Sequence, residues 1–409
     1  MPAKGAQVDV IVGGGVVGLS VAWRLARAGR PVTVVDPAPA SGASHAAAGM
    51  LAPVSEVTYT EAPLLRLGVA SLRRWPAFAA ELAADAGLGD PRTGLDLRSE
   101  GTLDVAFGAD DLVALDELAA YMDKLGLPVE RLTGRECRRL EPMLAPSVRG
   151  GLLAPGDAWV DPRRVTAALL AALERLDVPL VREHATGLLR EDAGRDGTGD
   201  GDDGDRAGRG SMGGDRPGLS GGTGGGSGGR VVGVRLRDAP DISADRVILA
   251  AGAWSAELAD VPVRPVKGQI MRLRSPQPLL GRCVRGTVHG ASVYLVPRGD
   301  GELVVGATQE EMGFDTRVTA GGLYELLRDA RELVPGVTEL EVADVVAGLR
   351  PGTPDNLPLI GPSGTPGLTL ATGHHRGGVL LAPLTAAVLL GEESEAATLC
   401  SPARFRDIS

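Results

Sequence analysis

Val8-Asp-Val-Ile-Val12-Gly13-Gly-Gly15-Val-Val-Gly18 opens the patterned part of the chain, and Pro31-Val-Thr-Val-Val-Asp36 follows shortly after. The first five residues read as a strand, residues 16–28 carry helical apolar spacing, and 31–36 read as a second strand. Strand, helix, strand is a βαβ opening and predicts a parallel sheet. Gly13, Gly15 and Gly18 fit G-x-G-x-x-G at the strand-to-helix turn, and Asp36 closes the second strand. Each residue has a physical task. Gly13 permits the tight turn, Gly15 lets a pyrophosphate approach the backbone, and Gly18 lets helix and strand pack closely. The free N–H groups and dipole of the helix N-terminus then face the phosphate charge. An acid at 36 suits ribose hydroxyls and disfavours a 2′-phosphate. A dinucleotide site is expected, and these residues alone leave FAD and NAD both open.

Outward from this turn, strands and helices alternate. Helical spacing recurs at 63–86, 111–125, 162–176, 321–333 and 378–390, and strand patterns at 268–274, 292–297, 302–307 and 368–371. The alternating stretch Gln269-Ile-Met-Arg-Leu-Arg274 predicts an antiparallel sheet with one wet face. Residues 191–229 stand apart, with 17 of the 59 glycines and no aromatic residue. They cannot bury enough surface to offset ordering, so a disordered insert is expected, at the tip of a hairpin between 179–182 and 230–237.

Composition sets further limits. The chain has 409 residues, 44% apolar and 23% charged, which allows one large or two ordinary domains. A net charge of −10 argues against a nucleic-acid partner. No apolar run reaches the roughly 20 residues of a membrane span, and no signal peptide is read at the start, so a cytoplasmic protein off the membrane is expected. Cys137, Cys283 and Cys400 are far apart. They fit a reducing compartment and offer no zinc or disulfide spacing; no metal is expected.

Ser44-His-Ala-Ala-Ala-Gly-Met-Leu-Ala-Pro53 follows the second strand. With the glycine turn it resembles the D-amino-acid oxidase superfamily of flavoproteins, and within it the glycine oxidases of thiamine biosynthesis. Asp245-Arg-Val-Ile-Leu-Ala-Ala-Gly-Ala-Trp-Ser255, Pro265-Val-Lys-Gly-Gln269, Tyr294-Leu-Val-Pro-Arg298 and Val304-Val-Gly-Ala-Thr308 extend the resemblance. Gly348-Leu-Arg-Pro-Gly-Thr-Pro-Asp355 and Gly373-His-His-Arg-Gly-Gly-Val-Leu-Leu-Ala-Pro383 are its most specific parts. The resemblance implies an α/β fold: a Rossmann-like FAD-binding domain with a second, antiparallel-sheet (α+β) substrate domain. The expected division is 1–90, 145–258 and 340–409 for the FAD-binding domain, and 91–144 with 259–339 for the substrate domain.

By the same resemblance Val16 and Val17 meet the pyrophosphate and Asp36 the adenosine ribose. Ala43, Ser44, Ala48, Gly49 and Met50 follow the ribityl chain and ring. Gly187 matches a main-chain contact to adenine. His374, His375, Arg376, Gly377, Gly378, Val379 and Leu380 wrap the pyrimidine end of the flavin. No Cys stands near Gly348, where related sarcosine oxidases attach flavin, so non-covalent FAD is expected. Arg350 matches the carboxylate-binding Arg, Tyr294 a second carboxylate contact, and Arg376 a further Arg beside substrate and flavin. A planar fork of donors is what a carboxylate needs. Two positions depart from the pattern: His375 stands where an aromatic residue is frequent, and Ser292 where His is.

The activity implied is oxidation of glycine, sarcosine and small D-amino acids to the imine, with O2 reduced to H2O2 and the product feeding thiazole synthesis. The partners expected are a small amino acid and O2, and a homo-oligomer is left open. A D-amino-acid or sarcosine oxidase or dehydrogenase, and a non-catalytic nucleotide-binding protein, are the alternatives. Arg350 and Tyr294 speak against the last, because nucleotide binding has no need of them.

Overall fold

Asp9–Val12 has four buried residues, and the reason is its central place in a six-stranded sheet. A computed structural model describes residues 8–56, 60–191 and 229–408. The sheet order is Leu359–Pro362, Leu368–Thr372, Arg246–Leu249, Asp9–Val12, Val32–Val35, Leu180–Val181. All pairs are parallel except the first, which is antiparallel. Ile11 faces a core built with the helices Val16–Arg27, Ala62–Asp85, Pro162–Arg175 and Gly378–Leu389. Val10 and Val12 face the opposite core, shared with a three-stranded sheet of Ala185–Arg190, Val231–Leu236 and Ile242–Ser243. Asp9 is fully buried because Arg30 (2.9 Å) and Arg246 (2.8 Å) neutralise it.

A second sheet has eight strands: Glu341–Gly352, Arg264–Arg274, Glu302–Gly306, Ala291–Pro297, Cys283–Val288, Thr102–Ala106, Gly150–Ala154 and Glu130–Thr133. Its pairs are antiparallel except Cys283–Val288 with Thr102–Ala106. One face packs on the helix Ala320–Leu333. The other face carries Ile270, Val296 and Val304 against Ala48, Met50 and Trp159.

Three expectations change here. The wet face expected of 269–274 is absent: residues 266–273 are all buried, because both faces are covered. Arg272 is buried with them, paired to Glu302. The hairpin partner of Val231–Leu236 is Ala185–Arg190, whereas Leu180–Val181 joins the parallel sheet beside Val34 and Val35. Both runs have strand composition, and only their partners tell them apart. Finally, Gly150–Ala154 and Glu341–Gly352, placed with the dinucleotide part by sequence, are strands of the eight-stranded sheet. The insert expected at 191–229 lies outside the described residues apart from its two ends, which meet where Glu191 N donates to Arg230 O at 2.9 Å.

The glycine turn leaves no room for side chains. Gly13 has φ +114°, and a Cβ there would lie 2.3 Å from Ala250 O. A Cβ on Gly18 would lie 1.9 Å from Gly13 O. Since the obstacle is backbone in both cases, Gly18→Ala should cost about 3 kcal/mol or more of stability. Gly156→Ala, with nothing near its Cβ position, should stay within about 0.5 kcal/mol. Urea unfolding of both variants checks the contrast.

Candidate active site

A cavity of about 410 Å³ runs between the two sheets. One end is built from the glycine turn and the segment after the second strand: Gly15, Val16, Val17, Ala43, Ser44, Ala48, Gly49 and Met50 all line it. Ser44 Oγ accepts from Val16 N at 2.9 Å and so joins the segment to the helix start. Gly13 and Gly18 lie behind this wall as spacers. Asp36 stands beside the turn without lining the cavity, with Oδ2 accepting from Gly14 N (2.6 Å) and Oδ1 from Ala38 N (2.8 Å). A carboxylate has further lone pairs, so these bonds leave it able to accept from a hydroxyl.

The other side is the turn after Leu368–Thr372. His374, His375, Arg376, Gly378 and Val379 line the cavity, and Gly378 begins the buried helix Gly378–Leu389. Gly377 and Leu380 lie behind them, lining a smaller neighbouring hollow. Leu380 O accepts from Ser71 Oγ (2.6 Å) and Trp75 Nε1 (3.0 Å), which anchors the helix start. His375 adopts φ +47°, a region costly for a residue with a Cβ and common at functional turns. Burial lowers the pKa of His374 to about 3 and that of His375 to about 4, the latter helped by the charges of Arg376 and Arg350. Both rings are therefore neutral near pH 7. His374 Nε2 pairs with Thr385 Oγ1 at 2.8 Å, while His375 Nδ1 is buried with no protein partner.

Gly187 lies in the three-stranded sheet, opposite Arg235, and does not line the cavity.

Arg350, Tyr294 and Arg376 meet in this cavity although they are far apart in sequence. Arg350 lies two residues from the end of the long ladder between Glu341–Gly352 and Arg264–Arg274, opposite Val266. Its Nη1 donates to Thr308 O (3.2 Å) and Lys267 O (3.4 Å), and the Tyr294 hydroxyl is its side-chain neighbour. The guanidinium rests on Gly268, where a Cβ would come within 2.4 Å of it. Tyr294 pairs with Gly306, whose missing side chain makes room for the ring. Burial raises the pKa of Tyr294, against the opposing charge of Arg350, so its hydroxyl is protonated at neutral pH. Arg376 is already engaged: it donates to Glu61 Oε2 at 2.7 Å and to Glu56 O at 3.2 Å.

Sequence reading missed Glu56, Arg285, Thr308 and Gln309, which also line the cavity. For Arg285 a signal existed: it is a lone charge in the strand run Cys-Val-Arg-Gly-Thr-Val. Thr308 lies inside a quoted motif but acts through its carbonyl, which no side-chain reasoning reaches. Glu56 follows a turn and carries no local signal.

The profile of the FAD dependent oxidoreductase family matches residues 10–390, and the chain belongs to that family. It is therefore an enzyme with FAD as cofactor. The bifunctional protein ThiO/ThiG of Nostoc sp. is 33% identical over 391 residues, covering 93% of this chain and 51% of that protein. The chain thus spans about half the length of curated relatives of that kind. The glycine oxidase of Geobacillus kaustophilus is 33% identical over 386 residues, covering 92% of this chain and 89% of that one. A crystal structure of glycine oxidase from Geobacillus kaustophilus aligns with a TM-score of 0.79 at 30% identity, covering 97% and 99% of the two chains.

The walls fit a flavin dinucleotide on their own evidence. Two helix N-termini, at Val16 and Gly378, open on one cavity, the Asp36 carboxylate stands beside the glycine turn, and a buried ring nitrogen on His375 lacks a partner among the described residues. Among the described residues no helix is long and apolar enough to cross a membrane.

The seat of Arg350 can be tested without removing its charge. Gly268→Ala should leave the protein folded and FAD-loaded, because only the mobile end of a side chain must move. The displaced guanidinium should weaken binding of acetate, read from the visible absorbance of the bound flavin, by roughly tenfold.

Proposed function

We propose that this chain is a glycine oxidase of the thiamine-linked type, acting on glycine and also on sarcosine and small D-amino acids. The observation that carries the reading is Arg350: a guanidinium on the cavity wall with no carboxylate bonded to it among the described residues, held by the carbonyls of Lys267 and Thr308 and next to a protonated Tyr294. That pair suits the carboxylate of a small amino acid. The kinship with glycine oxidases supports glycine as the substrate.

In this reading Gly15, Val16 and Val17 hold the FAD diphosphate, Asp36 the ribose, and residues 374–380 the ring. FAD is held there without a covalent bond in this reading, and among the described residues no cysteine lines the cavity. Bound there, FAD would supply the two-electron acceptor for the hydride lost from the substrate carbon and the route of both electrons to O2. Glycine and O2 become the imine and H2O2, and water converts the imine to glyoxylate and ammonia. The protein's share is placement. Arg350 and Tyr294 grip the carboxylate, and the sheet behind them excludes water. The neutral histidines add no positive charge that would compete with Arg350. The amine must arrive unprotonated, and no strong base is required of the cavity.

Arg350→Met should lower kcat/KM for glycine by about 10²-fold or more, largely through KM, with FAD content kept. Arg350→Lys should restore part of it, since a point charge lacks the two-pronged contact. A peroxide-coupled assay over a panel of small amines measures both; an unchanged KM in Arg350→Met would remove Arg350 as the anchor.

The pH profile follows from the histidines. Their lowered pKa values leave them neutral above about pH 4, so neither titrates in the working range. The rise of kcat/KM with pH should therefore track the substrate amine and move when the amine is changed. A midpoint that stays near 6.5 for every substrate would instead mark a histidine.

A further inference from the structure

Among the described residues, three guanidinium groups and one carboxylate line the cavity: Arg285, Arg350 and Arg376, with Glu56. Arg376 is matched by Glu61 at 2.7 Å. Arg350 is taken by the substrate carboxylate in the reading above. Arg285 is left over, and its setting is unusual. It stands opposite Tyr294 on one neighbouring strand and opposite Asp104 on the other, so the three side chains share the cavity face of the sheet.

The contacts of Arg285 are poor. Asp104 Oδ2 lies 3.4 Å from Nε, within ion-pair range but without a hydrogen bond. Nη2 reaches Ser292 Oγ only at 3.4 Å. Nε and Nη1 are buried, and no group among the described residues accepts from them. Burial also raises the pKa of Asp104, against the pull of Arg285, which weakens it as a counter-charge. The cavity carboxylate, Glu56, belongs to the segment that Arg376 holds through the Glu56 carbonyl. An Arg is charged at any working pH, and a buried donor left unpaired is costly. Groups of this kind are retained where a ligand anion completes them.

We propose that Arg285 is the anchor for a second anionic group on the substrate, so that the cavity prefers amino acids carrying an additional carboxylate or phosphonate over uncharged ones of the same size. Ser292 belongs to the same subsite. Its small hydroxyl accepts from Nη2 at 3.4 Å and has a proton of its own to donate to an anion. Tyr294 stands between the two cations, so it can contact either anion of the substrate. The inference rests on the amine-oxidase reading and narrows its substrate class.

The test compares near-isosteric pairs on the FAD-loaded enzyme. D-aspartate is set against D-asparagine, and N-carboxymethylglycine against its monoamide, each followed by peroxide release. The acidic member should have the higher kcat/KM by about tenfold or more, and Arg285→Gln should cut that ratio by a similar factor. Arg285→Lys keeps the charge and should keep part of the preference, which also covers the case in which Arg285→Gln does not fold. A second readout needs no turnover: succinate should perturb the visible flavin absorbance at lower concentration than succinamate, and the difference should vanish in Arg285→Gln. Acidic members that bind and react no better than their amides in the wild type would overturn the proposal. So would an Arg285→Gln variant that loses glycine as fully as D-aspartate, because Arg285 would then be the primary anchor. Absence of glycine turnover with succinate preference intact would instead overturn the reading of the preceding subsection and leave this one standing.

Discussion

Two glycines facing each other across one strand ladder decide how the halves of this molecule meet. Gly268 and Gly348 are paired in register, both on the cavity wall. A Cβ on Gly348 would lie 2.8 Å from that of Ala46 and 3.1 Å from Ala43 Cα, so the edge strand of the large sheet sits directly on the segment after the second parallel strand. A Cβ on Gly268 would occupy the seat of the Arg350 guanidinium. Close approach of backbone on one side and a cation on the other thus depend on the same missing pair of side chains. Interiors are packed to crystal density, so such space is not available by small adjustment.

The electrostatics of the cavity follow from that packing. Arg350 is held by carbonyls, Arg376 by Glu61, and Arg285 by little besides a distant Asp104. A low-dielectric wall strengthens each charge that remains unmatched. His374 and His375, which could have added further charge, are held neutral by burial. Arg285, Tyr294 and Arg350 thus stand on the sheet wall of a cavity on which two helix N-termini, at Val16 and Gly378, also open. Buried Asp9, with its two arginines, shows the opposite solution to the same problem: there the protein completes the charge pairing itself.

The glycine turn, the two flanking strands and Asp36 were legible because their demands are local. Positive φ, close helix–strand contact and a terminal acid each leave a mark within about thirty residues. Helices at 162–176 and 378–390 were legible for the same reason, and their observed bounds differ by one residue. Ladder partners were not legible. The runs at 179–182 and 185–190 differ little in composition, yet one joins the parallel sheet and the other the three-stranded one. Likewise residues 269–274 alternate as a half-wet strand would, but a helix covers one face and Ala48, Met50 and Trp159 the other.

The sequence by itself determined the βαβ opening, the dinucleotide site and, through motif resemblance, the identity of Arg350 and Tyr294 as site residues to examine. These rest on short-range geometry and on residue types that few backbone settings accept. Only the tertiary structure decided which charges in the cavity are matched. Arg376 and Arg285 are equally Arg in sequence; one meets a carboxylate from residue 61 and the other meets no hydrogen-bonding partner at Nε or Nη1. Pairing of buried charges depends on atoms brought together across hundreds of residues, and no local pattern records which lone pairs will arrive.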